Sequence, residues 1–102
     1  EQLAGAVDVE VVDLRWIAPM DVDTVLTSAA RTGRLLIVHE AIEFCGVGAE
    51  LAATVSERAW HDLDAPVRRL APPRHIYPPA DFEDDHLVDQ PAIVRAIEEM
   101  MR

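Results

Sequence analysis

The chain has 102 residues, half of them hydrophobic, and a formal charge of −10. That length gives room for one small domain over residues 1–102 with one continuous core, and no apolar run approaches the eighteen or so residues of a membrane span. The acidic balance argues against nucleic acid, whose phosphates it repels, and favours a basic partner. All nine basic residues are arginine, a composition suggestive of a GC-rich bacterial genome. The single cysteine, Cys45, excludes an internal disulfide, suits a reducing bacterial cytoplasm and reads as a small packing residue near a turn.

Glu1–Ala6 reads as the end of a helix closed near Gly5. Val9, Val11, Val12 and Leu14 give a first strand over Val9–Arg15, which Pro19 terminates. Asp21 is placed to cap a helix whose buried stripe is Val22, Val25, Leu26, Ala29 and Ala30, and Gly33 closes it. Leu35–Val38 is an uninterrupted apolar run, as expected of a strand covered on both faces. A helix follows from Gly46 to about Trp60, with Val47, Leu51, Ala52, Val55 and Ala59 inward and Glu50, Glu57 and Arg58 toward solvent. Val67–Leu70 reads as an edge strand. The four prolines of PPRHIYPP fix an extended surface segment, and Asp81–Asp89 reads as acidic and irregular. Asp89 and Pro91 start a last helix with Ile93, Val94, Ile97, Met100 and Met101 on its apolar face. Strands separated by helices predict an α/β fold, three-layer α/β/α, with a mostly parallel sheet and right-handed crossovers.

Candidate chemistry is sparse. His39 and Glu40 stand at the carboxyl end of the central strand, the edge where open α/β sheets place ligands or partners. An imidazole oriented by a carboxylate could serve acid/base work, yet adjacent strand residues face opposite sides, so a structural or interface role is the expectation. His61, His75 and His86 read as solvated loop residues. Gly46 and Gly48 resemble the opening of a phosphate loop, but the third position of GxGxxG is Leu51, and Glu50 adds negative charge where a pyrophosphate would sit. Close backbone packing is the expectation. The acidic stretch lacks the glycine and spacing of a calcium loop.

The order of motifs says more than any one of them. VEVVDLR, PMD before a helix, TGRLLIVHEA, GVGAEL, LDAPVRR, a proline-rich stretch and a QP helix closely resemble the C-terminal domain shared by transketolase-like enzymes, most of all that of the beta subunit of thiamine-diphosphate-dependent 2-oxo acid dehydrogenases of pyruvate or branched-chain type. The resemblance runs from about Val9 to Arg102 and implies an N-terminally incomplete domain, since the family's domain begins with another strand and helix. It further implies an alpha/beta heterotetramer that oxidatively decarboxylates a 2-oxo acid and passes the acyl group to lipoyl. Thiamine diphosphate and Mg2+ would be held outside this domain, which would contribute no catalytic, cofactor or metal residue. Its expected role is contact with the alpha subunit and the second beta subunit, and docking of the basic subunit-binding domain of the dihydrolipoyl acyltransferase. Asp64 and the helix end near Arg102 match the family's docking region; His39, Glu40, Gly46 and Gly48 match positions of packing or subunit contact. The stretch APPRHIYPPADFEDDH departs from the family by being more acidic and lacking a glycine-containing loop. The alternatives are the C-terminal domain of a transketolase or deoxyxylulose phosphate synthase, and a stand-alone small-molecule enzyme using His39 and Glu40.

Overall fold

Helix α1 spans Val22–Thr32, and its ends show why it forms there. The Asp21 carboxylate accepts from the Thr24 amide at 3.1 Å and from the Thr24 hydroxyl at 2.6 Å, satisfying a donor that the first turn leaves free. These two bonds, the hydroxyl's first, hold the Asp21 carboxyl below its ordinary value. At the other end Gly33 takes φ 72° and its amide bonds Ala29 O at 2.8 Å, a left-handed turn that a side chain would strain. Val25 and Ala29 are buried, whereas Ala30 is exposed. The computed structural model describes residues 5–74 and 76–102; of the expected N-terminal helix end, Glu1–Ala4 lie outside these, and Gly5 and Ala6 form a turn.

Strand β1, Leu36–Val38, pairs in parallel with β2, Arg68–Leu70, in the register Leu36 with Arg68, Ile37 with Arg69 and Val38 with Leu70. Backbone bonds continue this pairing beyond the strands, from the Asp64 amide to Gly33 O at 2.7 Å and from the His39 amide to Leu70 O at 3.3 Å. Between the strands runs α2, Val47–Ala59, with Gly48, Leu51, Val55 and Ala59 buried. This parallel crossover places the chain in the α/β class. The core joins Val25 and Ala29 of α1, Ile37 of β1, and Leu51, Val55 and Ala59 of α2. Helix α4, Gln90–Met100, packs on β1, and its buried Ala96 stands outside that cluster. Since the strand neighbours of Ile37 point away from it, helices lie on both faces of the ribbon. Asp89 caps α4 by accepting from the Ala92 amide at 2.8 Å, with Pro91 in the first turn.

Four expectations need correction. Val9–Arg15 forms no ladder among the described residues: Val12 and Leu14 pack on the core while Val11 is 84% exposed, and Glu10 adds polar ties to α1, bonding Ser28 at 2.7 Å and ion-pairing Arg31. An extended run becomes a strand only when another backbone lies beside it, and none of the described ones does. The acidic stretch is not irregular. It makes a 3-10 turn at Ala80–Phe82 and a short α3 at Glu83–His86, entered through the Phe82 amide bonding Pro79 O at 2.9 Å. His86 is not solvated: it is 5% exposed and meets the Tyr77 ring edge-on, because the proline-rich segment brings that ring onto α3. His61 is exposed, and His75 lies outside the described residues. Cys45, finally, is exposed and takes φ 55° rather than packing.

Candidate functional site

Two places carry the residues singled out from the sequence. The first is the end of β1. His39 follows the strand directly, and its Nδ1 lies 2.8 Å from Ala41 O, which places the proton on Nδ1 as the donor to that carbonyl. Nε2 is buried without a hydrogen-bond partner among the described residues. The ring lies flat against α2's first turn: a Cβ on Gly48 would overlap Nε2, and one on Gly46 would come within 3.0 Å of Cε1. The two glycines therefore allow close approach. Gly46 has φ −77°, so the positive dihedral of this turn falls on Cys45 instead. The imidazole fills the face that an anion would need, and neither ring nitrogen is open to a substrate. Glu40 points into solvent and has no hydrogen bond or ion pair among the described residues. His39 and Glu40 do not converge.

The second place is the loop after α2. A 3-10 turn at Trp60–Asp62 leads to Asp64, whose amide bonds Gly33 O. The same carboxylate rests on Gly33, where a Cβ would collide with it. Oδ2 lies 3.6 Å from Arg34 Nη1, with the Asp64 side chain 67% exposed and that of Arg34 half as much. Arg34 reaches the other way as well, donating from Nε to Met100 O at 3.1 Å. One guanidinium thus joins the LDAP loop to the end of α4, two residues before Arg102. Arg68 adds a second link, with Nη1 and Nη2 both 3.1 Å from Glu99 Oε2. The Arg102 side chain is exposed and makes no ion pair among the described residues. Beside Asp64 opens a shallow hollow of about 390 Å³, lined by Ser56, Trp60 and Leu63–Val67. Trp60 is 60% exposed and stacks on His61 with ring centroids 3.8 Å apart.

Sequence reasoning missed Arg34 and Trp60. Arg34 sits in TGRLLIV as an ordinary residue after a helix stop, and only the parallel register brings it to Asp64. Trp60 could have been found as a large aromatic at the last turn of a helix, past the end of its apolar stripe.

A family profile described as transketolase, C-terminal domain, matches residues 1–93. The chain belongs to that family. Among curated proteins, the pyruvate dehydrogenase E1 component subunit beta of Leifsonia xyli is 44% identical over 89 residues, covering 87% of this chain and 26% of that protein. The proteins of the same name from Staphylococcus aureus and Staphylococcus epidermidis are 42% and 43% identical, over 91% and 84% of this chain and 29% and 26% of theirs. The chain thus spans less than a third of the length of these relatives. As a transketolase C-terminal domain it carries the family's helices and parallel strands, and the resemblance read from TGRLLIVHEA and LDAPVRR leads to the same family.

Proposed function

We propose that this chain is the C-terminal domain of the beta subunit of a bacterial, cytoplasmic pyruvate dehydrogenase that uses thiamine diphosphate and Mg2+. The domain itself serves assembly with the alpha subunit and a second beta subunit, and docking of the basic subunit-binding domain of a dihydrolipoyl acyltransferase. The relatives' names favour pyruvate over a branched-chain 2-oxo acid. The observation that carries the docking role is the exposed Asp64 carboxylate, held on Gly33 and tied through Arg34 to the end of α4. A fixed carboxylate at the surface of a strongly acidic chain attracts an arginine-rich or lysine-rich partner and pairs with it on contact.

The end of β1 supports placing the cofactor elsewhere. The His39 ring occupies the open face of Gly46 and Gly48, so these residues do not fit a diphosphate, and no catalytic step is derived through them. The same buried ring counts against a stand-alone enzyme using His39 and Glu40.

The test is Asp64→Arg in the assembled alpha/beta protein. Binding to the acyltransferase's subunit-binding domain is expected to weaken at least tenfold, while the assembly keeps its size in gel filtration. Unchanged binding removes Asp64 from the interface.

A further inference from the structure

Trp60 is large, apolar and open to solvent, and it lines the same shallow hollow as Asp64. Isolated exposed apolar residues are ordinary. Trp60 differs in what surrounds it. His61 stacks on its ring, and Asp62 and Asp64, two and four residues further on, are both exposed. The nearby cations are already occupied, Arg34 by Asp64 and Met100 O, and Arg58 by Asp23 at 3.4 Å. An indole beside an exposed carboxylate suits one class of visitor. The planar guanidinium of an arginine can pair with the carboxylate while its face and alkyl stem lie on the ring, a combination that a lysine ammonium reproduces only in part.

We infer that Trp60 is a specificity-determining residue of the docking surface, forming with Asp64 a receptacle for an arginine side chain of the partner. This rests on the docking reading above and adds to it a selection for arginine over lysine and an affinity component that salt does not screen. Tryptophan and arginine are the residue types most often found to dominate interface energetics.

The experiment uses the assembled alpha/beta protein and, as probe, the isolated subunit-binding domain of the acyltransferase, titrated calorimetrically at low and at moderate salt. Trp60→Ala is expected to weaken binding about tenfold with the salt dependence unchanged, and Trp60→Phe to recover most of the loss. Asp64→Asn is expected to weaken binding and to flatten the salt dependence. Ser56→Arg, an exposed change in the lining of the same hollow, sets a rival guanidinium there and should also weaken binding about tenfold; it keeps the test decisive if Trp60→Ala fails to assemble. If Asp64→Asn weakens binding while Trp60→Ala or Ser56→Arg leaves it unchanged, the receptacle is refuted and docking stands. If all three bind as the parent does, the docking reading falls and takes this inference with it.

Discussion

Replacing Gly48 by alanine puts the packing at the end of β1 to a direct test. Alanine is the better helix former, worth up to about 1 kcal/mol in a helix interior and less in the first turn. Opposing that gain, the new methyl would overlap His39 Nε2, lie 2.6 Å from Cδ2 and 3.1 Å from Ile37 Cγ2. The ring cannot simply swing aside. Its Nδ1 is bonded to Ala41 O, and its Nε2 is buried. Overpacking of this kind costs about 1–3 kcal/mol, and losing the Nδ1 bond would add about 1 kcal/mol. The balance is a net destabilisation of roughly 1–3 kcal/mol, read as a fall in the urea midpoint by far-ultraviolet circular dichroism. The control is His39→Ala. With the ring gone, Gly48→Ala should become neutral or slightly stabilising, so the two changes should couple by about 2 kcal/mol in a double-mutant cycle. An alanine that raises the midpoint with His39 present, or costs the same in both backgrounds, refutes the account of why glycine stands there.

Two further outcomes follow from the helix ends and the N-terminal segment. Gly33→Ala forces a left-handed φ on a residue with a side chain, at about 1–2 kcal/mol, and pushes its Cβ into the Asp64 carboxylate; urea unfolding should show the loss, and adding Asp64→Ala should restore only the part due to the collision. Acidification should also destabilise the chain. Arg31 and then Ser28 lower the Glu10 carboxyl, as Thr24 lowers that of Asp21, from ordinary values of 4.5 and 3.8. Groups depressed in the folded state add stability above their unfolded values and lose it as pH falls through the folded ones. A Glu10→Gln, Asp21→Asn double variant should therefore have a lower urea midpoint than the parent at pH 6 and approach it near pH 3; a gap of constant size across that range defeats the assignment.

Where the chemistry of one residue settles the matter, the sequence was readable. Asp21 and Gly33 bracket α1, Asp89 and Pro91 open α4, and the apolar run before His39 is β1, because caps and buried runs are local properties. The loop proposed for docking was readable only through the resemblance carried by LDAPVRR, and Asp64 owes its anchoring to Gly33 and Arg34, which the parallel register alone brings near. Gly46 and Gly48 read as sites of close packing, and the structure shows what packs there: the turn's positive φ belongs to Cys45, and the glycines make room for an imidazole. No local pattern reveals which ring a glycine faces. Val9–Arg15 has the alternation of a strand but no strand beside it among the described residues, and pairing belongs to two segments at once. His86 was misjudged because its acidic surroundings mark a wet surface, while the Tyr77 ring that covers it comes from beyond the second pair of prolines.

The bare backbone of residues 9–15 makes assembly visible to hydrogen exchange. Its side chains hold it against α1, but among the described residues its amides from Val9 to Leu14 have no hydrogen-bond acceptor, and that of Arg15 reaches only the Asp13 carboxylate. Such amides exchange with solvent without waiting for any opening of the core, whereas those of β1 and β2 are held by the ladder. Deuterium uptake over this short peptide would then separate two populations, one in which another chain segment lies alongside and slows exchange, and one in which a row of free donors and acceptors stands ready to pair with any extended strand, including another copy of itself.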